Sequence, residues 1–124
     1  MIRSGAARSH TIFLHLTVTA AWLELDRDGR DEIISSSLLP ALRAHAHTTT
    51  LRWFDADAYS ASPTDVAMIS TSDLGDWSEL LSTLKDSPLF STPYYRLDRV
   101  IVTDEAGPVG PRGPAAPAAE ARSS

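Results

Sequence analysis

The chain contains no cysteine. Disulfide staples, thiolate metal sites, iron–sulfur ligation and a cysteine nucleophile are excluded together by that single fact. Long apolar runs are also missing. No stretch approaches the ~20 residues that cross a bilayer, and the N-terminus lacks the apolar centre of a signal peptide, so the expectation is a cytoplasmic protein with no membrane partner. Gly-x-Gly-x-x-Gly, P-loop and Gly-x-Ser-x-Gly motifs are absent as well, which removes the usual devices for binding nucleotides and flavins and leaves no cofactor expected.

Basic charge is scarce. Lysine and arginine number 11 against 16 acidic residues, for a net charge of −5. Arg3 and Arg8 lie at the start, and Arg112 and Arg122 outweigh Glu120 at the end, so the excess of acid falls on the region between. A phosphate-backbone binder needs the opposite sign there, and nucleic acid is not an expected partner. Glu24, Asp26, Asp28, Asp31 and Glu32 gather around a helix start, where the macrodipole favours them.

What is present fits one domain. Of 124 residues, 43% are hydrophobic, which is enough for a core without staples. Residues 1–9 read as a flexible N-terminal segment, 10–105 as the domain, and 106–124 as a disordered Pro/Ala/Gly-rich tail whose Gly-Pro triplets are too few for a collagen helix.

Thr11 to Val18 alternates, with Ile12, Leu14, Leu16 and Val18 on one face and Phe13, His15 and Thr17 on the other, as in a half-buried strand. Ile33, Ile34, Leu38, Leu39, Leu42 and Ala46 recur near helical spacing, and Pro40 inside that pattern predicts one bent helix or two short pieces between Arg27 and His45. Thr48 to Phe54 reads as a second strand ending in Asp-Ala-Asp turn chemistry, and Asp65 to Thr71 as a third, central strand. Asp73 offers an N-cap for a helix carrying Trp77, Leu80, Leu81 and Leu84 on one face. A last strand is expected from Tyr94 to Val102. The order β-α-β-β-α-β predicts an α+β, ferredoxin-like fold: a four-stranded antiparallel sheet with two helices on one face. The other face needs a cover, which points to a homodimer or to a ligand held between subunits.

The block from Arg52 through Trp53, Phe54, Asp55, Ala56, Asp57, Ala58 and Tyr59 to Ser60 resembles the darcynin family of small bacterial proteins. So do Asp65-Val66-Ala67, Thr71 to Leu74, Leu84 to Pro88, the Tyr94-Tyr95 pair and Thr19 to Leu23. The resemblance covers Thr11 to Asp104, and its most specific piece is the Trp53 to Ser60 block. It implies the ferredoxin-like fold, supplies no reaction, and more loosely implies kinship with dimeric α+β-barrel proteins, among which are cofactor-free oxygenases, isomerases, cyclases and lyases alongside non-catalytic members.

His15 carries the most chemistry, because imidazole both gives and takes a proton at neutral pH; a histidine packed at a dimer seam is the simpler account. Asp55, at a strand end beside aromatics, is the candidate second catalytic group, against the plainer role of accepting backbone N–H bonds in its turn. Trp22, Arg52, Trp53, Tyr59, Tyr94, Arg96 and Asp98 are candidate substrate-binding residues, with Tyr94, Arg96 and Asp98 expected on one face of the last strand, where edge protection is the competing explanation. His45 and His47 lack a third ligand nearby in sequence, so no metal is expected, and His45 reads as a solvated helix end. The resulting expectation is a cofactor-independent isomerase, cyclase or lyase moving a proton on a small hydrophobic intermediate, as in secondary-metabolite biosynthesis, in a pocket on the open sheet face. The alternative is a non-catalytic dimeric ligand-binding or accessory protein.

Overall fold

The computed structural model describes residues 9–104; the N-terminal segment expected up to residue 9 and the tail expected from residue 106 lie, apart from residue 9, outside them. Strand β1 is His10–Val18, β2 Thr49–Asp55, β3 Asp65–Thr71 and β4 Tyr95–Asp104. They form one sheet in the order β2-β3-β1-β4, with every neighbouring pair antiparallel. This is the ferredoxin-like arrangement, with β1 and β3 central. Among the described residues, no helix is long and apolar enough to cross a membrane.

Period-2 alternation decides which face is buried. Ile12, Leu14 and Leu16 of β1 and Ala67 and Ile69 of β3 face the helices and are buried. Phe13 and His15 point the other way and are half-buried. The helix-side layer is completed by Trp77, Leu80 and Leu84 from α4 (Leu74–Asp86) and by Leu89 from the short α5 (Pro88–Ser91). Asp73 caps α4 by accepting from the Asp76 N–H at 3.1 Å, which satisfies one of the helix's free donors.

The first helical region holds the two short helical pieces that Pro40 predicts, joined without a break by a π-helical turn. A short α1 (Ala20–Leu23) follows β1, capped by Thr19. Helix α2 (Arg27–Ile33), capped by Asp26, then runs into a π-helical turn, Ile34–Leu38, before α3 (Leu39–Ala44). Pro40 falls in the first turn of α3. A proline there lacks an N–H and crowds the carbonyl four residues back, so the irregularity forms ahead of it. The Ser36 hydroxyl donates to the Glu32 carbonyl at 2.7 Å, a back-bond that also bends helices.

Candidate functional site

An apolar cleft of about 500 Å³ lies between the first helical region and the helix-facing side of the sheet. Its walls come from Trp22 of α1, Ile34 and Leu38 of the π-turn, Leu39 and Leu42 of α3, with Leu51 and Trp53 of β2 and Tyr95 of β4. The π-turn bears directly on this shape, since its wider backbone turns Ile34 and Leu38 onto the cleft. Alternation along β2 sends Leu51 and Trp53 to the same side.

The deep wall is aromatic. The Tyr95 ring lies 4.9 Å from Trp22 and 5.3 Å from Trp53, centroid to centroid, and Trp22 meets Tyr94 at 6.2 Å in an edge-on contact. Such tilted geometries match the ring quadrupoles. The Arg30 guanidinium sits over Trp22, 5.6 Å from its centroid, while its Nε donates to the Trp22 carbonyl at 3.2 Å. Trp53 donates its indole N–H to Asp65 at 2.7 Å, and the Thr64 hydroxyl donates to the other oxygen of the same carboxylate at 2.7 Å. Tyr95 is 6% exposed. Burial, with the charge of Asp65, pushes its phenol well above the usual range, against a smaller opposing pull from Arg30.

The opposite face of the sheet holds a second group. A β-bulge between His15 and Leu16 in the β1–β4 pairing leaves Asp98 as the extra residue of β4 and turns its carboxylate onto the open face. Thr17 donates to Asp98 Oδ2 at 2.5 Å, and Arg96 Nε donates to Oδ1 at 2.6 Å. Burial raises the Asp98 carboxyl, but the bonds from Thr17 and Arg96 and the charges of Arg96 and His15 outweigh it and hold the group below its ordinary value. His15 pairs with Val66 on one side and Arg99 on the other.

The residues singled out by the sequence therefore divide between two faces. Trp22 and Trp53 meet in the helix-side cleft, so the cleft is not where the open-face pocket is expected. Asp55 lies opposite Asp65 in the β2–β3 ladder, on the helix side, whereas His15 is on the open face, and the two do not meet. Asp55 accepts from the Asp57 N–H at 3.1 Å, and the bond with and charge of Asp55 raise the Asp57 carboxyl. Tyr94 does not share a face with Arg96 and Asp98: it precedes β4 and packs on Trp22. Arg52 is exposed on the open face with its guanidinium 5.1 Å from the Phe54 centroid, and Tyr59 is 94% exposed in the β2–β3 connection.

His45 is not a solvated helix end. Its Nδ1 lies 2.7 Å from Asp76 Oδ1, and its side chain is 13% exposed. Thr48 donates to the other oxygen of Asp76, and Thr49 and Thr71 continue the chain of hydroxyls at 2.9 Å. The bond from Thr48, followed by the bond and charge of His45, holds the Asp76 carboxyl below its ordinary value against burial. Among the described residues, no group of three or more His, Cys, Asp or Glu side chains is placed to hold a metal ion.

A family model described as "Darcynin, domain of unknown function" matches residues 3–118. The chain belongs to the darcynin family. It is similar to the darcynin of Chromobacterium violaceum, with 42% identity over 57 residues, covering 46% of this chain and 72% of that one. Darcynin 1 of Acinetobacter baumannii is 28% identical over 85 residues, covering 68% and 93%. Among solved structures, a haem-binding protein of Thermus thermophilus superposes with a TM-score of 0.73 at 9% identity, covering 86% of this chain and 43% of its own. Chlorite dismutase of Candidatus Nitrospira defluvii, in complex with imidazole, superposes with a TM-score of 0.69 at 11% identity, covering 83% and 42%. This family member thus shares their fold while spanning about two fifths of those chains. Sequence reasoning missed Tyr95, Leu42, Leu51 and the π-turn as cleft elements; Pro40 and the run Ser35-Ser36-Ser37 ahead of it are the local signals of the irregularity.

Proposed function

We propose that the protein binds a small hydrophobic molecule in the helix-side cleft, as a homodimer whose subunits meet through their open sheet faces. The observation that carries the binding reading is the lining: eight apolar or aromatic side chains around about 500 Å³, the size and character of small-ligand sites. Among the described residues that line the cleft there is no carboxylate or imidazole for proton transfer, and the neighbouring Asp65 is engaged by Trp53 and Thr64. The dimer reading rests on the open face, where Phe13, Val66, Met68 and Ile101 form an apolar centre, half-exposed in one chain.

Haem, which the Thermus thermophilus neighbour is described as binding, does not fit this cleft. Among the described residues no imidazole, thiolate or thioether lines it, and its one side-chain oxygen is the Tyr95 phenol, whose ring is packed between Trp22 and Trp53.

The experiment is a titration with N-phenyl-1-naphthylamine, a neutral probe that brightens in apolar surroundings. Saturable binding is expected, with quenching of Trp22 and Trp53. Leu42→Trp, which fills the cleft from its half-buried wall, should weaken binding by about tenfold or more while leaving the circular dichroism spectrum unchanged. Equal binding by the variant would sink the cleft as the site.

One observation favours a second reading, cofactor-independent proton transfer on the open face. The bulge sets Asp98 beside Thr17 on the face of His15, a carboxylate near an imidazole in place of the Asp55 expected from sequence. Deuterium exchange into an enolisable aromatic ketone such as 2-tetralone tests it. His15→Ala should slow exchange by about 10²-fold, and an unchanged rate would discard this reading.

A further inference from the structure

The Tyr95 hydroxyl is the one polar side-chain group in the deep aromatic wall that is left over. Trp53 spends its N–H on Asp65. Asp65 is filled by Trp53 and Thr64. Arg30 spends donors on the carbonyls of Trp22 and Leu23. The Tyr95 side chain, 6% exposed and lining the cleft between Trp22 and Trp53, has no hydrogen-bond partner among the described residues. A tyrosine hydroxyl inside a protein ordinarily finds a partner, and this one, with none among the described side chains and backbone, is left to bond with what occupies the cleft it lines.

We infer that the Tyr95 hydroxyl is the polar recognition group of the cleft, donating a hydrogen bond to a neutral oxygen acceptor, such as a ketone or quinone carbonyl, on a flat aromatic ligand. This deepens the binding reading above and rests on it. The flatness follows from the lining, in which the clustered rings of Trp22, Tyr95 and Trp53 are joined by the aliphatic surface of Leu38, Leu39 and Leu42. The neutrality follows from charge: two carboxylates, Asp65 and Asp55, act on the same phenol against one guanidinium, Arg30, so an added anion is disfavoured. A protonated phenol donates; a carbonyl accepts and cannot donate, so the two are complementary.

Two naphthalenes of matched shape separate the hydrogen bond from the hydrophobic contact: 2-acetonaphthone, with a carbonyl, and 2-ethylnaphthalene, without. The wild-type protein should favour the ketone by about three- to tenfold, the range of one net hydrogen bond. Tyr95→Phe should abolish that preference, the two naphthalenes then binding the variant alike. The anion 2-naphthoate should bind more weakly than the ketone. The inference is overturned if the wild type shows no preference for the ketone, if Tyr95→Phe keeps it, or if the naphthoate binds more tightly. Binding of N-phenyl-1-naphthylamine without any ketone preference overturns the role of Tyr95 and spares the cleft. Failure of that probe and of both naphthalenes overturns the two together.

Discussion

Trp53 Nε1 donates to Asp65 Oδ2 at 2.7 Å, a diagonal contact across the β2–β3 ladder that ties the edge strand to its neighbour on the floor of the cleft. Because Thr64 holds the second oxygen, the carboxylate is satisfied where it is largely shielded from water. Removing it strands two donors. Asp65→Ala should therefore cost about 1–3 kcal/mol in urea unfolding, and Asp65→Asn, whose amide oxygen still accepts from Trp53, should cost less. Equal losses for the two would show that the hydrogen bond contributes little.

The open-face carboxylate gives a prediction of direction. Asp98 is held below its ordinary value in part by the Thr17 hydroxyl. Thr17→Val removes that donor and leaves the burial that opposes ionisation, so the Asp98 carboxyl should titrate at higher pH, as followed by its ¹³C resonance. An unmoved titration would assign the depression to Arg96 and the neighbouring charges alone.

Asp76 ties His45 and Thr48, between α3 and β2, to the first turn of α4. Its folded-state affinity for protons is lowered, so the stability it confers is complete above the unfolded carboxyl value of about 4 and is lost as pH falls through that value toward the folded one. Between pH 5 and pH 3 the wild type should lose more of its urea midpoint than Asp76→Asn does. Parallel losses would show that another carboxylate governs acid unfolding.

Much of the fold is legible in the alternation of β1 and β3 and in the Trp77, Leu80, Leu84 stripe of α4, because each is a local period that tertiary packing only reinforces. The site is less so. Whether Tyr95 meets Trp22 and Trp53 depends on strand order, which brings residues far apart in sequence onto one wall. Tyr94 leaves the face of Arg96 and Asp98 because β4 begins only at Tyr95, and the bulge that makes Asp98 the extra residue leaves no residue signature in Arg96-Leu97-Asp98-Arg99. His45 looks like a solvated helix end until Asp76, 31 residues on, is folded against it. Pro40 announces an interruption, but not that the interruption is a π-turn facing a cleft.

The open sheet face bears on oligomeric state, and its middle is the place to probe it. Met68 lies on central strand β3, opposite Phe13 on one side and Arg52 on the other, and Phe13 in turn lies opposite Ile101. A row with an apolar centre and an exposed arginine at its edge suits the seam of a symmetric dimer, where the centre is dry and the rim is wet. Light scattering at micromolar concentration should give twice the chain mass. Met68→Glu should give the chain mass, because two copies would bury like charges across the seam without partners. Its side chain points away from the cleft, so N-phenyl-1-naphthylamine should still bind the variant with wild-type affinity. A wild-type monomer would remove the dimer. A Met68→Glu dimer would move its seam to another surface, and loss of probe binding in a folded monomer would mean that the partner subunit shapes the cleft.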